Sequence, residues 1–274
     1  MLDDPFIQAA VYGGVAPLVV ALVAGAIFGR TRLAWIAIVA GYATMVALAV
    51  GFAFEPLTAA RKIVLIVLVA ALVGLVYDTV AASSRHGAVL LAGIAGAAAV
   101  WAVSSVLAQK APGVMWGAGA GIALFAALLV WLVLELRNDG LRTGAAGLGL
   151  GLATGIAGLM SASIGYFLGG VSIAAGAGAM LLLHIFVPRT QAPGALGGFT
   201  IGVACALFAA GALMLAQLPW YALPALFLVP LAARLPAPET MHRFVRAALL
   251  SFYTLAAAGV PIAAAWIATR LSSS

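Results

Sequence analysis

Residues 143 to 188 read TGAAGLGLGLATGIAGLMSASIGYFLGGVSIAAGAGAMLLLHIFVP, and no Asp, Glu, Lys or Arg interrupts them. At about 1.5 Å per residue, one helix of this length would be roughly 70 Å long. The hydrocarbon core of a bilayer is about 30 Å thick. The stretch therefore predicts two crossings, with Arg142 and Arg189 on the same side. The whole chain supports a lipid solvent: 66% of its 274 residues are hydrophobic and only 7% are charged, against roughly 25% charged in soluble domains. Lipid offers no hydrogen bonds to an open backbone, so spanning segments are helices or closed barrels. Barrel strands alternate polar and apolar residues over about ten positions. The unbroken apolar runs here predict an all-α, polytopic integral membrane helix bundle in a single transmembrane domain, 1–274, with no soluble domain.

Working outward from that hairpin gives ten candidate spans: 6–28, 33–54, 63–82, 88–108, 114–135, 144–163, 166–187, 195–217, 219–234 and 244–269. Eight or nine are the alternatives, because the ninth is short and contains Pro219, Pro224 and Pro230. Ten spans place Arg30, Arg32, Arg85, Arg137, Arg142, Arg189, Arg234, Arg243 and Arg246 on one side. Arg61, Lys62, Lys110 and Arg270 fall on the other. The positive-inside rule makes the arginine-rich side cytoplasmic, with both termini, including the acidic Asp3 and Asp4, facing away from it. A bacterial cytoplasmic (inner) membrane is the expected location. The acidic start lacks the basic region of a cleavable signal peptide, so the first run is expected to remain as a span.

The net charge of +6 does not point to nucleic acid, because the basic residues are scattered among short loops without a basic stripe. Cys205 is the only cysteine, so an intramolecular disulfide is impossible and a packing role is expected. His86, His184 and His242 show no ligand spacing, and neither metal nor other cofactor is expected. Hydrolase, nucleotide-loop and zinc-protease signatures are absent. Trp35, Trp101, Trp116, Trp131, Trp220 and Trp266 fall mostly near span ends, as an aromatic belt would place them.

Glycines recur every four residues at Gly147, Gly151 and Gly155, and again at Gly194, Gly198 and Gly202. That spacing puts each trio on one helix face and allows close helix–helix packing. The apolar turn between spans six and seven carries Ser161, Ser163 and Tyr166. These hydroxyls either satisfy freed backbone groups or line a small-molecule entrance.

The candidate polar or proton-relay site comprises Asp78, His184, Tyr77 and Arg85. Asp78 follows Lys62 by sixteen residues and precedes Arg85 by seven, roughly 24 Å and 10 Å along a helix. That depth lies in the cytoplasmic third of the membrane. A carboxylate there meets the negative end of its own helix dipole, so a compensating partner is expected. His184 is predicted at similar depth and could relay a proton if the two spans touch.

Ten spans in fewer than 300 residues with tiny loops resemble the drug/metabolite transporter superfamily in length and span count. That resemblance carries over no residue, and the orientation above is opposite to the family's usual one. Five-plus-five spans would also give halves of opposite topology, as in inverted-repeat transporters. The leading expectation is a small secondary transporter or permease-like protein for a small solute. The alternatives are a non-catalytic subunit or assembly factor of a membrane complex, and an intramembrane lipid-acting enzyme. Expected partners are the lipid bilayer and either other membrane subunits or a second copy of the chain.

Overall fold

The computed structural model describes residues 5–52, 55–80, 84–161, 163–187, 190–216, 218–238 and 240–272. Asp3, Asp4 and Arg189 lie outside them. Among the described residues every regular element is helical and there is no strand. Eight helices are long and apolar enough to cross a membrane: α1 (Ile7–Phe28), α3 (Ala59–Val80), α4 (Arg85–Leu107), α5 (Pro112–Leu134), α6 (Gly140–Met160), α7 (Ile164–Phe186), α8 (Gly194–Leu215) and α10 (Arg243–Arg270). Two shorter apolar segments, α2 (Ile36–Val50) and α9 (Ala222–Ala232), complete the order. The chain has the fold of a helical integral membrane protein.

The opening hairpin forms as α6 and α7, and its glycines explain how closely the two pack. A Cβ on Gly151 would stand 2.5 Å from the Ala174 nitrogen and 2.7 Å from the Gly170 oxygen, while one on Gly147 would stand 2.7 Å from the Ala177 Cβ. Gly155 meets the Phe167 carbonyl and the Val171 nitrogen. Backbone lies against backbone here, the geometry that small residues permit in lipid. The second trio serves α8 differently along its length. Gly198 and Gly202 face Leu134 and Val130 of α5, whereas Gly194 faces Asp78 of α3. Helix α8 is the centre of the bundle: nearly all of its residues are buried, and it packs against α3, α4, α5, α6 and α7.

The two short segments follow from local backbone chemistry. The apolar run expected over 33–54 starts as turns, becomes helical at Ile36, loosens into a π-turn over Val46–Val50, and stops at Gly51 with φ of 77°. Its fifteen helical residues reach only about 22 Å. Segment α9 is split into Ala222–Ala225 and Leu228–Ala232. Between them the backbone bonds three residues back, as from Leu226 to Leu223, Phe227 to Pro224 and Val229 to Leu226. Such bonding lengthens the rise to about 2.0 Å per residue, so a proline-rich piece reaches further than an α-helix of equal length. Its first residues border one cleft with α5 and α8, and its far end is held by an Arg234 guanidinium bond to the Leu132 carbonyl. Phe227 lies against Phe125 of α5 with ring centroids 5.5 Å apart, so α9 packs along α5.

Helix α3 begins at Ala59 rather than 63, which puts Arg61 and Lys62 in its first turns. Their long stems allow this by carrying the charge back to the interface. The Arg61 guanidinium donates to the Pro56 carbonyl, and the Lys62 ammonium donates to the Trp101 carbonyl and the Ser104 hydroxyl.

Candidate functional site

Asp78 finds its partner in a helix end. Its Oδ1 accepts from the Ala195 N–H at 2.7 Å and its Oδ2 from the Leu196 N–H at 2.8 Å. The carboxylate of α3 therefore caps the first turn of α8 from outside, satisfying two of the donors that a helix start leaves free. The positive end of the α8 dipole offsets the negative end of α3 that Asp78 also meets. Two glycines shape this contact. A Cβ on Gly74, one turn before Asp78, would stand 2.9 Å from the Ala195 carbonyl oxygen, so glycine lets α3 approach here. Gly194 has φ of 60°, and a Cβ on it would collide with the carboxylate.

Among the described hydrogen bonds, none joins the other members of the expected relay set to this cap. The Tyr77 hydroxyl is buried without a partner, pressed against Gly87. Arg85 is exposed at the first residue of α4. It is Arg137, buried, that approaches this region: its guanidinium donates to the Ser84 carbonyl and its own carbonyl accepts from the Gly194 N–H. His184 Nδ1 donates to the Met180 carbonyl at 2.8 Å, and Nε2 is buried against Gly140 without a partner. Among the described contacts no hydrogen bond joins Asp78 to His184.

Trp35 stands between α7 and α8 and is the group that belt placement misses. It is buried, with its ring 5.6 Å from that of His184, its Nε1 donating to the Gln191 carbonyl, and its edge against Gly197 of α8. Asp139 is a second residue without an assigned role in the sequence reading. It caps α6 by accepting from the Leu141 and Arg142 N–H groups and pairs with Arg246 at 2.6 Å and Arg142 at 3.3 Å. The Asn-Asp-Gly triplet ahead of an apolar run is the sequence signal for such a cap.

Two cavities open at opposite ends of the bundle. The one at the arginine-rich end has a volume of about 590 Å³ and is bordered by Asp139, Gly140, His184, Thr190, Arg243 and Arg246. Asp78 does not border it. The other, about 570 Å³, lies between α2, α3, the α6–α7 turn and α8. It exists because α2 stops early at that end. Its polar groups are Ser161, Ser163, Tyr166 and Tyr42, and its floor is aromatic: the Phe208 ring centroid is 6.0 Å from Tyr42 and 6.5 Å from Tyr166. The Ser161 hydroxyl donates to the Ala157 carbonyl, so it serves the backbone and also lines the cavity.

Helix α2 spans the layer between the cavities. Trp35 lies tilted against His184 at one level and Tyr42 underlies the opposite cavity seven residues later, about 10 Å away. The layer between is filled by Ile38, Ile173 and Met180, all fully buried, and Gly176 lets α7 touch the Ile38 backbone. Buried hydroxyls in the bundle bond carbonyls of their own helix, as Thr154, Ser172 and Thr200 do. Tyr42 is too long for that, and its hydroxyl is buried with no partner. An unsatisfied buried hydroxyl costs about 1–3 kcal/mol. Tyr42→Phe is therefore expected to raise stability by about 1 kcal/mol, or about 2–4 °C in Tm, in thermal unfolding of purified protein. A lower Tm would mean that the hydroxyl has an acceptor.

Among the described residues no three His, Cys, Asp or Glu side chains converge as metal ligands. No protein-family model matches the chain, and neither a curated protein nor a solved structure shows significant similarity to it.

Proposed function

We propose that the chain is a small secondary transporter or permease-like protein that moves a small solute by opening and closing the α2–α7 contact. The observation that carries this reading is the thin barrier: two cavities from opposite ends, divided by about two helical turns of apolar packing at Ile38, Ile173 and Met180. Short, interrupted helices are where transporters break their backbone, and α2 with its π-turn and α9 with its split are such elements. In this reading all ten segments cross, the arginine-rich end faces the cytoplasm, and both termini lie outside. Packing of α1 on α2 and α6 on α7, of α4 on α5 and α9 on α10, and of α3 on α8 supports an inverted five-plus-five relation. The extensive α6–α10 packing has no comparable counterpart between α1 and α5. Asp78 acts here as the joint that fixes α8 to α3, and His184 is the candidate proton-handling group of the cytoplasmic cavity.

The test needs no known substrate. Ile38→Cys, made with Cys205→Ala, is labelled with a membrane-impermeant maleimide in right-side-out and inverted vesicles. Labelling from both sides is expected; a residue that reacts from neither side would sink the proposal.

A second reading, that of a subunit of a membrane complex, is favoured by one face. Gly113, Gly117 and Gly121 form an exposed ladder on α5 with nothing within 4 Å of a built Cβ, and such ladders suit a partner helix.

A further inference from the structure

The outer cavity carries enough chemistry to name a ligand class, and this inference rests on the transport reading only for its meaning, not for its geometry. At about 570 Å³ it falls within the usual range for small-molecule pockets, roughly 300–1,000 Å³. Among the described residues that line it none is charged; the walls are Met45, Val50, Ile63, Val64 and Leu215, and the floor is the Tyr42–Phe208–Tyr166 group. A charged ligand would lose its hydration here without a counter-charge to replace it.

The hydrogen-bonding capacity is as selective as the charge. Tyr166 is held with its ring end against Gly211, and among the described contacts its hydroxyl has no hydrogen bond. The Tyr42 hydroxyl beneath is likewise unpartnered. Both are unused donors. A ligand that satisfies them supplies an acceptor, and its remaining surface must match apolar and aromatic walls. We infer that this cavity binds an uncharged small molecule with a ring-like apolar body and a carbonyl or hydroxyl oxygen, which accepts from Tyr166. The aromatic floor alone would also suit an organic cation, but among the described residues no carboxylate borders the cavity to neutralise one.

Four probes of similar shape separate these chemistries: acetophenone, ethylbenzene, benzoate and phenyltrimethylammonium. Binding to the full-length protein in nanodiscs is measured by calorimetry against empty nanodiscs, for wild type and Tyr166→Phe. Acetophenone is expected to bind more tightly than the two ions, and Tyr166→Phe to weaken it about three- to tenfold, the size of one hydrogen bond, leaving ethylbenzene unchanged. Benzoate or phenyltrimethylammonium binding as tightly as acetophenone would overturn the assignment. So would acetophenone binding that ignores Tyr166→Phe, or equal uptake by empty nanodiscs. Tyr166→Phe keeps the ring that packs on Gly211 and Phe208, so loss of folding does not confuse the result. The Ile38→Cys labelling reports on transport alone: binding without two-sided labelling leaves the site standing and removes the transporter, and the reverse leaves the transporter and removes this ligand class.

Discussion

Gly170→Ala is expected to prevent α6 and α7 from closing. Its Cβ would fall on the Gly155 nitrogen and stand 2.6 Å from the Gly151 carbonyl oxygen. Both obstacles are backbone atoms of a buried helix, so no rotamer change relieves the overlap and the two helices must separate. Overpacking of a core costs about 1–3 kcal/mol and sometimes more; with backbone on both sides, a loss of at least about 3 kcal/mol is expected. The hairpin also carries α10, packed along α6, so separation would loosen a third helix. The control is Gly178→Ala on α7, where the nearest atom to a built Cβ is 3.8 Å away. There the better helix propensity of alanine should leave stability unchanged or raised by up to about 1 kcal/mol. Unfolding in mixed micelles, followed by circular dichroism, measures both. Equal behaviour of the two variants would show that the hairpin tolerates a wider spacing.

Asp78→Ala carries the second large effect. It leaves the Ala195 and Leu196 N–H groups without acceptors at the start of the most buried helix. Hydrogen bonds to a charged group are worth about 1.5–3 kcal/mol each, and unsatisfied donors add to the loss, so a destabilisation of about 2–4 kcal/mol is expected. Asp78→Asn keeps one oxygen acceptor but turns an amide N–H₂ toward the other donor, and should recover less than half of it. A capping role predicts that both variants lose stability in this order, measured as above. A carboxylate needed only for proton transfer would instead leave Asp78→Asn as stable as wild type while removing any proton-coupled flux.

Legibility differed from residue to residue. The 143–188 stretch announced a hairpin because hydropathy and length together leave no other way to bury it, and its glycine spacing marked the faces that meet. The cost of Asp78 was also legible, from its depth and its place at a helix end. Its partner was not, since two backbone N–H groups have no side-chain signature. For His184 the sequence indicated the end of the bundle, and the structure places it beside Trp35 and Gly140. Trp35 read as an interface aromatic because tryptophans near span ends commonly are, and only the approach of α7 and α8 buries it.

The sequence by itself determined the apolar character of the segments, the helical class and the hairpin over 143–188. These properties are sums of transfer energies and charges along the chain, and each residue contributes without knowing its neighbours in space. Tertiary structure decided everything that depends on where helices end and what they meet. Helix α2 stops at Val50 because Gly51 turns the backbone. That shortfall opens a cavity floored by residues from α2, α7 and α8, which lie far apart in sequence. The turn is a local event, but the space it leaves is shaped by three other helices, and no one-dimensional pattern contains it.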